Sequence, residues 1–124
     1  MAKVSLLVDT DIFIDYFNTG RFHVLFDSSR FTIYYSAITK KELLSKPGLR
    51  DTERESILAE LSRCRLIPLS DSITVRYSDL RSLHPSLDKG DALIAATAII
   101  KRLPLLTRNK RHYRMIQDMT LFGE

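Results

Sequence analysis

The segment Asp91-Ala92-Leu93-Ile94-Ala95-Ala96-Thr97-Ala98, continuing through Ile99 and Ile100, is the strongest constraint on how this chain can fold. Its pattern predicts a helix over 91–102 that is apolar on nearly every face. A helix of that kind is stable only when buried, and Ala95 and Ala96 allow its neighbours to approach closely. The rest of the chain must therefore wrap around it. Asp91, leading a buried helix, is expected at the edge of the core and not in bulk solvent.

Short extended runs and longer helical ones alternate along the remaining sequence. Strands are expected at 5–8, 32–35, 66–69 and 104–106, with a short last one near Leu121. Helices are expected at 11–18, 22–29, 37–46, 53–64, 72–84 and 91–102, with breaks at Gly20, Pro47-Gly48, Pro68, Pro85 and Pro104. This alternation predicts one α/β domain over residues 1–124. Its centre is a mostly parallel sheet of four or five strands, flanked by helices on both faces.

Several function classes drop out on composition. No apolar run approaches the roughly 20 residues needed to cross a bilayer. The opening run meets Asp9 too early for a signal peptide. No membrane association and a cytoplasmic location are therefore expected. Cys64 is the single cysteine, so an intrachain disulfide is excluded, which fits a reducing compartment. On the stripe Ile57, Leu58, Leu61, Cys64 it reads as a buried core thiol. With His23, His84 and His112 scattered, a thiolate–imidazole zinc cluster is not expected. Any metal must be held mainly by carboxylates.

Three acids stand in short apolar contexts. Asp9 ends Leu6-Leu7-Val8, Glu42 lies within Ser36-Ala37-Ile38-Thr39-Lys40-Lys41-Glu42-Leu43-Leu44, and Asp91 opens the apolar helix. Gathered by the fold, they would make a hard-oxygen site for a divalent cation. Asp9 also lies beyond the carboxyl end of the first strand, where open α/β sheets bind ligands. Each acid has a purely structural use as well. Asp9 can cap the following helix, Thr39-Lys40-Lys41-Glu42 matches a capping box, and Asp88-Lys89-Gly90-Asp91 resembles a cap with a first-turn acid. The two uses are compatible, because helix amides keep a carboxylate ionised. Asp11 is expected to face the same cleft as Asp9, and Asp71 to cap a helix. Spacing alone leaves open whether the three acids converge.

The net charge is +4, and Thr107-Arg108-Asn109-Lys110-Arg111-His112-Tyr113-Arg114 gathers four cations and a histidine into eight residues. That run is either a solvated segment or an edge that contacts phosphates.

Taken together, these contexts resemble a PIN domain, and specifically a VapC-type toxin ribonuclease. Val8-Asp9-Thr10, Ser36-Ala37-Ile38-Thr39 with Glu42-Leu43, Asp91 to Ala98, and Leu106-Thr107-Arg108-Asn109 with His112-Tyr113 resemble its four motifs, in family order and over nearly the whole chain. The resemblance implies an endoribonuclease in which Asp9, Glu42 and Asp91 hold Mg²⁺ or Mn²⁺ and take part in phosphodiester cleavage. It implies that Thr107 bonds a neighbouring carboxylate or the scissile phosphate. Arg108, Asn109, Lys110 and Arg111 would contact the substrate, with Lys40 as a further cation. Asp91, ahead of Glu42, would accept the proton of the attacking water. The implied substrate is a tRNA loop or other single-stranded RNA. The implied partners are a small antitoxin and a second copy of the chain, for which Phe13, Tyr16, Phe17 and Phe22 offer interface or, more ordinarily, core.

Two positions depart from the family pattern. Asn109 stands where many members carry a fourth Asp, which favours one firmly held metal over two. His112 stands where some relatives have an acid. Two competing functions are a catalytically silent PIN-like module that binds RNA or a partner, and a phospho-acceptor signalling domain. The latter needs a mid-chain Asp ending a strand, whereas Asp51 is expected at a helix start.

Overall fold

The computed structural model describes residues 3–123. Its strands are β1 (Val4–Val8), β2 (Phe31–Ser36), β3 (Arg65–Ile67) and β4 (Leu105–Leu106). Its helices are α1 (Thr10–Thr19), α2 (His23–Asp27), α3 (Ala37–Leu44), α4 (Asp51–Ser62), α5 (Asp71–Leu83), α6 (Lys89–Lys101) and α7 (Lys110–Tyr113). The strands form one all-parallel sheet in the order β3-β2-β1-β4. The expected α/β architecture is therefore present, with four strands. The strand expected near Leu121 is a single parallel bridge to Leu105, where the last described residues cover the β4 edge.

Strand alternation sorts the core into two layers, because successive side chains point to opposite faces. Leu7 joins Ile73, Leu80, Ile94, Ala95 and Leu105 on the face covered by α5 and α6. Leu6 and Val8 join Ile12, Phe13, Phe26, Leu43, Ile57 and Leu61 on the face covered by α1 to α4. Parallel strands covered on both faces explain the buried apolar run Leu6-Leu7-Val8 of β1. The apolar helix is α6, with Ala92, Ile94, Ala95, Ala96 and Ala98 all buried. Phe13 is core, and Tyr16, Phe17 and Phe22 pack against it.

Local details correct some expectations. Ser70, not Asp71, caps α5, its hydroxyl accepting from the Ile73 amide. Ser36 caps α3, which places Glu42 in the last turn of that helix and removes the capping box with Thr39. Cys64 lies beyond the end of α4 and is half-buried. Burial and then the Glu60 carboxylate push its thiol up to about 12, which keeps it protonated near neutral pH. Asp51 opens α4 and ends no strand, against the signalling-domain alternative. Among the described residues no helix is long and apolar enough to cross a membrane.

Candidate metal and nucleic-acid site

The order β3-β2-β1-β4 reverses direction at β1: the chain moves outward through β2 and β3, then returns on the other side as β4. Such a switch point opens a crevice at the carboxyl ends of the two strands. Asp9 follows β1 and Thr107 follows β4, so both stand at the mouth of that crevice.

Asp9 caps α1, with Oδ1 accepting the Thr10 amide at 2.8 Å. Its other oxygen accepts the Thr107 hydroxyl at 2.7 Å and the Tyr113 hydroxyl at 3.1 Å. The same Tyr113 hydroxyl reaches Asp91 Oδ1 at 3.1 Å. Asp91 stands in the first turn of α6, behind the Asp88 cap, and its Oδ2 lies 3.3 Å from His112 Nδ1. Asp11 enters beside them, accepting the Arg108 amide at 3.2 Å. Its Oδ1 is buried and accepts no hydrogen bond among the described residues.

Glu42 approaches from α3. Its Oε1 accepts the Thr10 hydroxyl at 2.8 Å, and that hydroxyl also lies 2.8 Å from the buried Thr39 hydroxyl. Since Thr10 has one proton and gives it to Glu42, Thr39 must donate to Thr10. The other oxygen of Glu42 faces Gly90, where an added Cβ would lie 3.2 Å from it. Glu42 therefore meets the start of α6, one residue from Asp91. Asp9 and Asp91 share a donor directly; Glu42 joins them through Thr10, next in sequence to Asp9. Among the described residues, no group of three or more His, Cys, Asp or Glu side chains is placed close enough together to hold a metal ion as it stands.

The acids load charge onto a poorly solvated point. Asp9 is 4% exposed, and its carboxyl is pushed up to about 7, chiefly by burial and then by Asp11, with the Thr107 hydroxyl opposing. Burial also raises Asp11, against the Arg108 amide and Thr107. Tyr113 is raised strongly, first by burial and then by Asp9 and Asp91, so its hydroxyl stays a donor. A buried carboxylate oxygen without a donor, beside carboxylates that repel one another, is a donor set suited to a hard divalent cation.

The basic run forms the neighbouring wall. Arg108, Lys110, Arg111 and Arg114 border an open recess of about 420 Å³. Arg108 lies 3.6 Å from Asp15 and Arg21 lies 3.4 Å from the same carboxylate, so Arg108 is oriented by an acid of α1. Asn109 contributes its backbone amide to Thr107 Oγ1 at 3.0 Å, and its side chain makes no cap bond to α7. Beside Glu42, a groove of about 560 Å³ between α1, α3 and α4 has a mixed lining, with Ile14, Phe17 and Leu43 on its apolar side and Lys46, Arg50 and Glu53 on its charged side.

Tyr113 falls within the fourth motif, but the sequence pattern gives its hydroxyl no role. Its signal is an aromatic residue with one polar tip inside a cationic run, a type that usually finds a hydrogen-bond partner when buried.

Residues 6–116 match the PIN domain family. Ribonuclease VapC1 of Methanocaldococcus jannaschii is 30% identical over 94% of this chain and 85% of its own length. A toxin-antitoxin complex from Klebsiella pneumoniae contains a chain 32% identical, with a TM-score of 0.74, covering 93% of this chain and 95% of that one. The VapBC2 complex of Rickettsia felis, bound to a DNA fragment from its promoter, shares the fold at 21% identity and a TM-score of 0.78, over 95% and 97% of the two chains.

Proposed function

The chain belongs to the PIN domain family, and we propose that it is a divalent-metal-dependent endoribonuclease, the toxin of a toxin-antitoxin pair. The observation that carries this reading is the meeting of Asp9 and Asp91 on one tyrosine hydroxyl at the sheet's switch point, with Asp11 beside them. Likeness to a named ribonuclease over most of both chains supports the activity.

Asp9, Asp91 and Glu42 would hold Mg²⁺ or Mn²⁺, with Asp11 adding charge. When bound, such a cation supplies charge neutralisation at the phosphate and activation of water. The chain's own groups do the rest. Thr107 fixes Asp9 by its 2.7 Å hydrogen bond, and the Thr10 amide fixes the other oxygen. Arg108, Lys110 and Arg111 line the recess where flanking phosphates bind, with Asn109 among them and Lys40 exposed on α3. Asp91, whose side chain is a quarter exposed, takes the proton of the attacking water. Asn109 supplies no anion, so the acids present would hold one cation firmly in preference to two. Single-stranded RNA, such as a tRNA loop, fits a shallow crevice that an unpaired strand can enter.

The groove beside Glu42 offers a surface on which a small antitoxin would lie, and the likeness to a toxin-antitoxin complex supports such a partner. We place the protein in the cytoplasm as a homodimer, its 124 residues forming one nuclease domain.

The test is cleavage of structured RNAs by the purified chain. Mn²⁺ should start cleavage, EDTA should stop it, and fresh Mn²⁺ should restore it. RNA that is bound but stays intact under all three conditions would support the silent binding module.

A further inference from the structure

We propose that Tyr113 is a positioning residue whose single hydroxyl sets the spacing of Asp9 and Asp91 for a divalent cation. This rests on the reading of those two acids as a metal site. The Tyr113 ring is 1% exposed, in the layer that contains Leu7, Leu105 and Ile116. Its hydroxyl lies 3.1 Å from Asp9 Oδ2 and 3.1 Å from Asp91 Oδ1. For core packing alone a phenylalanine ring would serve, and it would bury no hydroxyl between two acids. One proton can be donated to only one acceptor at a time, so the hydroxyl is a shared tether between two elements.

The two acids depend on that tether unequally. Asp9 is also fixed by the Thr10 amide and the Thr107 hydroxyl. The other contact of Asp91 is His112, whose side chain is 55% exposed. Tyr113 is therefore the buried link that holds Asp91 to Asp9 across the gap between α6 and β1. Such partners of ligating carboxylates affect metal affinity through the ligands they orient. Tyr113 also ends α7, which carries Lys110 and Arg111, so it ties the phosphate-facing wall to the acids.

The test uses the full chain and Mn²⁺ titration followed by the electron paramagnetic resonance of free Mn²⁺. Tyr113→Phe should weaken Mn²⁺ binding by about tenfold. Its RNA cleavage should fall at low Mn²⁺ and recover at saturating Mn²⁺, a rescue that damaged packing would not give. His112→Ala should weaken binding less. Mn²⁺ affinity in Tyr113→Phe equal to wild type would overturn the proposal if Asp91→Asn abolishes binding. If Asp91→Asn also binds normally, the metal-site reading itself falls, and this proposal with it. A second measurement needs no variant: the Tyr113 hydroxyl proton in wild-type protein should shift in NMR spectra on adding Mg²⁺. No change on saturation with Mg²⁺ would overturn the proposal.

Discussion

Thr107 Oγ1 donates to Asp9 Oδ2 at 2.7 Å, tying the end of β4 to the end of β1 across the switch point of the sheet. The same hydroxyl accepts the Asn109 amide at 3.0 Å, so one side chain orients the acid and starts the turn into the basic segment. Thr107→Val keeps the shape and removes both bonds. Loss of this support should lower RNA cleavage by about tenfold or more, as for other groups that orient metal ligands. Cleavage rates at fixed Mn²⁺ check this, and Thr107→Ser should retain most of the activity.

Asp9 gives the site its pH dependence. Its carboxyl rises from an ordinary 3.8 to about 7 in the fold, so folding favours the neutral form. That contribution to stability is complete below pH 3.8 and is lost as pH rises through about 7. Without metal, Asp9→Asn should therefore melt above wild type at pH 8 and close to it at pH 5, in thermal scans with EDTA. The variant's network can reverse, since Thr107 and Tyr113 can accept from the amide and donate to Asp11 and Asp91. Cation binding needs the carboxylate, so Mn²⁺ affinity should rise across pH 6 to 8. Isothermal titration in several buffers should show proton release on binding.

Gly90 tests the place of Glu42. An alanine Cβ there would lie 3.2 Å from Glu42 Oε2 and 3.3 Å from Asp88 Oδ2, so both side chains must give way slightly. Because the position is helical, Gly90→Ala should leave stability unchanged or raise it by up to about 1 kcal/mol. RNA cleavage should nevertheless fall. Melting and cleavage measured on the same preparation would separate the two effects.

Lys110 and Arg111 should act through phosphates and not through bases. Replacing either by alanine should weaken binding of unrelated single-stranded RNAs alike and lower the salt slope by about 1. Arg108 is held at 3.6 Å from Asp15, so its replacement should also disturb the Arg108 amide contact to Asp11 and cost cleavage as well as affinity. Fluorescence anisotropy over a salt series reads the slopes.

Periodicity reported the elements with residue-scale errors because burial imposes it directly: Leu6-Leu7-Val8 of β1 and the apolar middle of α6 stand out in the sequence, and both are core. The short α7 carries no sequence signal, since four residues such as Lys110–Tyr113 show no period and lie in a basic run that looks like solvated loop. Asp9, Glu42 and Asp91 stood out because each acid ends, interrupts or opens a short apolar context, yet their order along the chain holds no distance. Their linkage depends on Thr10, Thr39 and Tyr113, whose hydroxyls acquire partners 22 to 104 residues away in sequence only once the chain is folded. Glu42 was misread as part of a capping box because Thr39 and Ser36 are both good caps, and only the structure distinguishes them: Ser36 caps α3 while Thr39 is buried against Thr10. The Asp71 assignment failed in the same way, one residue from Ser70.

The most direct test is the rate of RNA cleavage in Mn²⁺ by wild type, Asp9→Asn and Asp91→Asn, purified identically and confirmed as folded. If the acids joined by Tyr113 are the cleaving centre, wild type cuts and both variants lose at least about a hundredfold in rate. Equal RNA decay in all three preparations would contradict it.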